Sequence, residues 1–543
     1  MPMKRLARLT CLLLTALLLL GSFYQSFTPD LSGVNVQTEL VAYSDVSTEP
    51  DDNYRTWYEI FVYSFCDSDG DGIGDLKGVT SKLDYLQELG VNGIWLMPIH
   101  PSPTYHKYDV TDYYAIDPQY GAMEDFEELM EQCRERDIHV ILDLVLNHTS
   151  SEHPWFRQAV GYLQSLEPGR EPNLEECPYV DWYFFDKEAI AADFYAVEGT
   201  DWKYEGKFWS GMPDLNLDNL ELRTEIRDIM AFWMDKGVSG FRLDAAKEFF
   251  SGQPSRNIQV LRFLTETARS INPDAYLVAE VWEGFTTIAD YYASGIPSIF
   301  NFAFGDSSGK ITAVLRGVDN EKTVSSFATA QEKADKAFRA NNPDYIDAPF
   351  LSNHDTGRIA GFCNRDENKM KLAGAMNLMM SGSAFLYYGE ELGMPGSGND
   401  PSKRAPMVWN EARDNGTTNP PPECQLPESY PLGSLETQRE DPCSIFNYYR
   451  QAIALRRQYP VISHGIPTAE TALNVGCVSA TRKTWGEESC IILMNISTVQ
   501  KQCDLSDYSD FALVGSLTVD ETPITQSGTQ LTLPPYAVAV LCK

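Results

Sequence analysis

Carboxylates, histidines and one arginine recur in this chain where short apolar runs stop. The four clusters are Asp143 to His148, Gly240 to Asp244, Val278 to Trp282 and Phe350 to Asp355. Two carboxyl groups held about five ångströms apart can open an acetal with retention, one attacking the anomeric carbon while the other protonates the departing oxygen. Asp244 and Glu280 are the candidates for that pair. Residues two apart on a strand share a face, so Arg242 stands beside Asp244, and its fixed cation keeps that carboxylate ionised for attack. Glu280 lies between Ala279 and Val281 and precedes Trp282, apolar company that raises a carboxyl pKa and suits an acid role. Asp355, next to His354, can steady positive charge on a sugar ring or grip its hydroxyls. One Asp alone reads equally well as a helix cap or a surface charge, but four such clusters together do not.

His148 and His354 each follow an Asn at a run's end, and His106 joins them within Thr104 to Asp109, giving a set of donors for sugar hydroxyls. Tyr108 offers a stacking platform under the sugar to be cleaved. Asp67, Asp69, Asp71 and Asp75 alternate with Gly70, Gly72 and Gly74, which presents oxygen ligands around a tight turn, the chemistry of calcium. An EF-hand would close with glutamate at its twelfth position, where Gly78 stands, so a structural calcium loop is expected rather than a sensor. Asn147-His148-Thr149 also matches a glycosylation acceptor, a role unsuited to a barrel rim.

Strands buried on both faces read as continuous apolar runs, and a β/α barrel delivers catalytic groups from their carboxyl ends. From Tyr54 the pattern alternates: strands at 57–63, 93–97 and 140–146, with helices near 79–89 and 123–136 between them. Further strands at 240–243, 276–281, 298–302, 348–351 and 385–388 bring the count to eight. The expectation is an α/β fold, a (β/α)8 TIM barrel over 54–149 and 212–460, with an inserted subdomain at 150–211 after strand three. Past the helix at 445–458 the rhythm turns to short alternating strands, so a C-terminal β-sandwich is expected over 461–543.

With 43 Lys and Arg against 77 Asp and Glu, the net charge is −34, which repels nucleic-acid phosphates and anionic lipid and suits a neutral ligand. Lys4, Arg5 and Arg8 precede the greasy run Leu12 to Leu20, the order of a secretory signal. Residues 1–27 are therefore read as a signal peptide or an uncleaved membrane anchor, both readings staying open, and 28–53 as a linker. A secreted or cell-surface monomer is expected. Besides Cys11 there are ten cysteines, and in an oxidising compartment disulfides are expected, with those of the C-terminal part favoured over Cys66 and Cys133.

The assembled motifs resemble the α-amylase family of glycoside hydrolases, family thirteen, over roughly 54–543. The resemblance implies a retaining hydrolase of internal α-1,4 bonds in starch, glycogen and maltooligosaccharides. It makes Asp244 the nucleophile, Glu280 the acid/base and Asp355 the transition-state stabiliser, with Arg242, His148, His354 and Tyr108 lining the subsite before the cleaved bond. Lys247 falls to the leaving-group side. It further implies calcium at Asp67, Asp69, Asp71, the Ile73 carbonyl and Asp75, and a second calcium between Asn147 and Asp214. Exo-acting α-glucosidase relatives carry Asp three residues before the stacking Tyr, where this chain has Tyr105, as endo-acting amylases do. Glu248 departs from the His usual in amylases. An α-glucosidase or 4-α-glucanotransferase is the alternative within the family, and a non-catalytic glucan-binding relative the alternative outside it.

Overall fold

A computed structural model describes residues 52–167 and 169–543. The signal or anchor, and all but the last two residues of the linker, lie outside the described residues. Strands β1 (Thr56–Ile60), β2 (Gly93–Leu96) and β3 (His139–Leu144) come first. A small antiparallel sheet follows, made of β4 (Phe185–Asp186), β5 (Phe194–Ala196) and β6 (Lys203–Glu205) in the order β4-β6-β5. Strands β7 (Gly240–Leu243), β8 (Tyr276–Ala279), β9 (Ser298–Ile299) and β10 (Ala384–Tyr387) complete a parallel sheet ordered β10-β1-β2-β3-β7-β8-β9.

The run at 348–351 is not a regular strand, although its backbone closes the barrel. Asn301 N–H donates to Ala348 O at 3.0 Å on one side, and Phe385 N–H to Pro349 O at 2.8 Å on the other. A ladder cannot extend from here because the Ala348 N–H is taken by Asp347 Oδ1 at 2.9 Å, and Pro349 has no N–H to give. Other boundaries also shift. The first strand ends at Ile60 and gives way to a short helix, Val62–Phe65, while the helix expected at 79–89 is two, Leu76–Ser81 and Leu83–Leu89, broken at Lys82. The cylinder is filled by aromatic rings: Trp57 stacks between Tyr276 at 5.2 Å and Phe385 at 6.0 Å, and Trp95 lies 5.4 Å from Phe300. Such a core is a solid plug, so only the rim can receive a ligand.

The C-terminal part holds β11 (Ile466–Ala469), β12 (Val478–Trp485), β13 (Glu488–Asn495), β14 (Lys501–Asp504), β15 (Ala512–Leu517), β16 (Thr525–Ser527), β17 (Gln530–Leu533) and β18 (Val538–Cys542). They form a five-stranded sheet, β11-β12-β13-β18-β15, and a three-stranded one, β14-β17-β16. Alternation divides β13: Ile492 and Met494 join the barrel's core, whereas Ile491 and Leu493 pack with Leu531 and Leu533 of the second sheet. Buried Lys483 crosses the seam, donating to Met379 O at 2.7 Å and Ile462 O at 2.5 Å.

All ten described cysteines are free thiols, against the expectation of bridges. An even count does not by itself pair every sulfur: Cys477 belongs to the barrel-facing core and Cys503 to the core between the two sheets. Among the described residues, no helix is long and apolar enough to cross a membrane.

Gly240 opens β7 against the β8 backbone, where an added Cβ would lie 1.8 Å from Tyr276 O. Gly240→Ala must therefore push apart the two strands that carry Asp244 and Glu280. We expect a loss of about 3 kcal/mol or more, read as a lowered thermal midpoint with activity falling in parallel; an unchanged midpoint would contradict this account.

Candidate active site

Asp244 and Glu280 each stand one residue beyond a barrel strand. The ladder runs on far enough to fix them, with Asp244 N–H donating to Leu144 O at 3.3 Å and Glu280 N–H to Leu243 O at 3.0 Å. Beneath them Arg242 is fully buried. Its Nη1 donates to Asp143 Oδ1 and Oδ2 at 2.9 and 3.0 Å and to Asp244 Oδ1. Its Nη2 makes a 2.9 Å ion pair with Glu280 Oε2, without hydrogen-bond alignment. One guanidinium thus holds both carboxylates side by side. Ala245 takes a left-handed φ of 44° and turns its N–H onto the same Glu280 Oε2 at 2.9 Å. Burial pushes Glu280 above the ordinary carboxylate range, with Arg242 opposing the rise and Asp244 adding to it. Asp143 is raised to about 7, again by burial and against Arg242.

A second chain of polar groups runs beside the first. His354 Nδ1 lies 2.5 Å from Glu59 Oε1, and its Nε2 lies 3.0 Å from Asp355 Oδ2 and 2.7 Å from the Tyr108 hydroxyl. Tyr108 donates onward to Asp143 Oδ2 at 3.0 Å, and its ring stacks on His354 at 5.4 Å. Burial disfavours an imidazolium, yet Asp355 and Glu59 outweigh it and raise His354 to about 9. Burial works against the Asp355 carboxylate as well, but His354 and Arg404 hold it well below the usual range. Arg404 donates to Asp355 Oδ1 at 2.9 Å, to the Tyr105 hydroxyl at 3.1 Å and to His354 O at 3.1 Å.

His106 and His148 are both lowered to about 4 by burial, so both are neutral near pH 7. His106 Nδ1 accepts the Tyr108 N–H at 3.1 Å, which puts its ring proton on Nε2. His148 Nε2 lies 3.2 Å from Tyr108 O and must carry a proton to bond it, so the donor expected for a ligand faces the backbone instead.

These groups open on a cavity of about 580 Å³ lined also by Phe208, Trp209, Trp282, Lys247, Glu248 and Asp400. Three of its rings are half exposed: Phe208 at 49%, Trp209 at 47% and Trp282 at 41%. Lys247 lines the same cavity as the carboxylate pair and donates to Trp282 O at 3.2 Å and Glu283 Oε1 at 3.0 Å. Lys207 of the insert comes within 3.6 Å of Glu248. Sequence reasoning did not single out Arg404, Asp400, Glu59, Phe208 or Trp209. Glu59 carried a usable signal, an acid inside an apolar run; Asp400 opens a four-residue helix, Asp400–Lys403, and the others lie in irregular segments, all without one.

Asp67, Asp69 and Asp71 bring three carboxylate oxygens within 4.8 Å of one another, a hard-oxygen set that fits calcium. Asp75 stands outside that group. Its Oδ1 accepts from Gly78 N–H at 2.7 Å, capping the helix Leu76–Ser81, and from the Ser68 hydroxyl at 2.8 Å, while Oδ2 takes the Ser68 N–H at 2.8 Å. Asn147 and Asp214 meet directly, Nδ2 donating to Oδ1 at 3.1 Å, and Lys207 N–H occupies Asp214 Oδ2 at 2.9 Å. Asn147 Oδ1 is buried without a hydrogen-bond partner.

The model of the alpha amylase catalytic domain matches residues 59–465. Alpha-amylase 3 of Dictyoglomus thermophilum is 42% identical over 413 residues, covering 75% of this chain and 78% of that protein. The solved structure of Eubacterium rectale Amy13B superposes with a TM-score of 0.88 at 44% identity, covering 91% of this chain and 96% of the other. A Bacillus subtilis protein named probable oligo-1,6-glucosidase 2 is 30% identical over 487 residues, 75% of this chain and 84% of its own.

The His354 cluster makes a pH-dependent contribution to stability. Its folded pKa of about 9 exceeds the ordinary 6.5, so the stabilisation is complete below pH 6.5 and lost as pH rises through 9. The Asp355 pKa is depressed below its ordinary 3.8, so its part is present above that value and lost only in stronger acid. We expect the gap in thermal midpoint between wild type and His354→Gln to be widest between those limits and to shrink above pH 9. A gap that widens with rising pH would refute a charged His354.

Proposed function

The chain belongs to the alpha-amylase family of glycoside hydrolases, and on that footing we propose that it cleaves internal α-1,4 bonds of starch-like glucans with retention. The observation that carries this reading is the shared guanidinium: Arg242 holds the Asp244 and Glu280 carboxylates together at the floor of a cleft. Asp244 Oδ1 is occupied by Arg242, so Oδ2 is the oxygen to attack the anomeric carbon. Glu280, raised by burial, carries the proton for the leaving oxygen, and with Oε2 occupied by Ala245 N–H that proton belongs on Oε1. Once Asp244 is esterified its negative charge is gone, and with it one cause of the high Glu280 pKa. Glu280 then ionises more readily and can take a proton from the incoming water. Asp355, held ionised by His354 and Arg404, faces the cationic transition state.

Several half-exposed rings around the cavity suit stacking on consecutive sugar units, which favours an endo-acting enzyme. Tyr105 stands where exo-acting relatives carry an Asp, and its hydroxyl accepts from Arg404 at 3.1 Å. Glu248, which lines the cavity near Lys207 of the insert and replaces the His usual in amylases, is the feature that keeps an α-glucosidase or 4-α-glucanotransferase as the second reading. Calcium would be held by Asp67, Asp69 and Asp71 with the Ile73 carbonyl, offsetting three crowded like charges and taking no part in bond cleavage. Asn147 and Asp214 are the residues for a second ion, which would first have to part their hydrogen bond. The cationic start and the greasy run after it support export to the outside or the surface of the cell.

Digestion of starch and maltoheptaose tests the reading. Glu280→Gln should keep the fold and lose about 10²–10⁴-fold in turnover, and the first products of the wild type should be α-anomers by NMR. Near-normal cleavage by the variant, or β-anomers from the wild type, would overturn it. For the acidic loop, a chelator should lower the thermal midpoint and added calcium restore it, whereas Asp69→Asn should show neither response in full. A wild-type midpoint indifferent to both additions would exclude calcium.

A further inference from the structure

Cys490 and Cys542 occupy directly opposed positions on β13 and β18. The neighbouring pair is hydrogen-bonded, Lys543 N–H donating to Ser489 O at 3.0 Å, so by antiparallel alternation Cys490 and Cys542 form a non-hydrogen-bonded pair. Such pairs bring their Cα atoms to about 4.5 Å, inside the separation of about 4.4–6.8 Å that a disulfide spans. The two thiols influence each other, the pair lowering the Cys490 pKa and raising that of Cys542. On the far side of Cys490 its cross-strand partner is Lys483, so the amine side chain and the two sulfurs lie in one row on the sheet face turned to the barrel.

We propose that Cys490 and Cys542 are a redox site, closing to a cross-strand disulfide that staples β18 to β13 at the seam between the C-terminal sheet and the barrel. With a glutathione-type disulfide as oxidant the step balances. The Cys542 sulfur, partly exposed where Cys490 is buried, exchanges first, releasing one glutathione thiol and leaving a mixed disulfide. The Cys490 thiolate then attacks the Cys542 sulfur and expels the second glutathione. Two protons and two electrons leave the protein, and one oxidised glutathione becomes two reduced ones. Cys490 suits the second step because it directly opposes Cys542 across the strand pair and so faces the mixed disulfide once it has formed. The other eight described thiols carry no such opposed partner in the strand registers. The loop so closed is long, and a cross-link of that kind restricts the unfolded chain most.

Full-length protein equilibrated with oxidised glutathione, then unfolded and alkylated, provides the test. We expect loss of two alkylation sites, a linked peptide containing Cys490 and Cys542, a raised thermal midpoint, and unchanged turnover of maltoheptaose. C490S and C542S should each abolish the linked peptide and the rise in midpoint while keeping turnover. Alkylation of both cysteines after oxidation, accumulation of glutathione on Cys542 without internal exchange, or a bridge between other cysteines would overturn the proposal. Because C542S alters only a partly exposed strand end, its readout survives if C490S misfolds. Starch hydrolysis enters only as a control, so failure here leaves the assignment of Asp244 and Glu280 standing.

Discussion

The structure turns on one buried cation. Arg242 has no water to solvate it, and an isolated guanidinium in that position would be prohibitively costly. Asp143, Asp244 and Glu280 supply the compensating charge, and all three are themselves buried. The four groups are therefore stable only as a set. Their registration is supplied by adjacent strands: Asp143 pairs with Arg242 across β3 and β7, and the ladder from β7 to β8 sets the height of Glu280. Three carboxylates share one positive charge, so part of the negative charge is relieved by protonation. Burial is the leading cause of the raised Glu280 and Asp143 pKa values, and the crowding of carboxylates around one cation adds to it.

The second network reverses that balance. His354 sits between Glu59 and Asp355 with Arg404 beyond, so cation and anion alternate and both members stay charged. Tyr108 couples the two networks through Asp143 and His354. The rim thus holds one carboxyl group biased towards its acid and another biased towards its anion within a single cleft. Environment alone separates their roles, as the chemistry of acetal cleavage requires.

The scaffold keeps these networks dry and fixed. Aromatic rings plug the barrel below, the insert contributes Phe208 and Trp209 on one side, and the C-terminal sheet braces the far side of the barrel through Lys483. Strand β13 serves two cores at once, one per face, so loosening it would disturb both the sandwich and the barrel.

Much of this was legible in the residues themselves. The apolar runs of β2, β3, β7 and β8 lie close to their expected places, and the alternation of Arg242 with Asp244 follows from strand geometry, a local and periodic property. Irregular positions were not legible. The closing segment at 348–351 reads as a strand until Asp347 claims the Ala348 N–H and Pro349 is found to lack one, and the helix cap made by Asp75 is invisible beside its place in the acidic loop. Arg404 and the insert's aromatic residues approach the carboxylates from far along the chain, and the proton of His148 is directed by a carbonyl forty residues away. The sequence by itself determined which side chains end each strand, because periodicity and burial act over a few residues. Only the tertiary structure decided which charges share a partner, because Coulomb energy depends on distances through space that residue order does not encode.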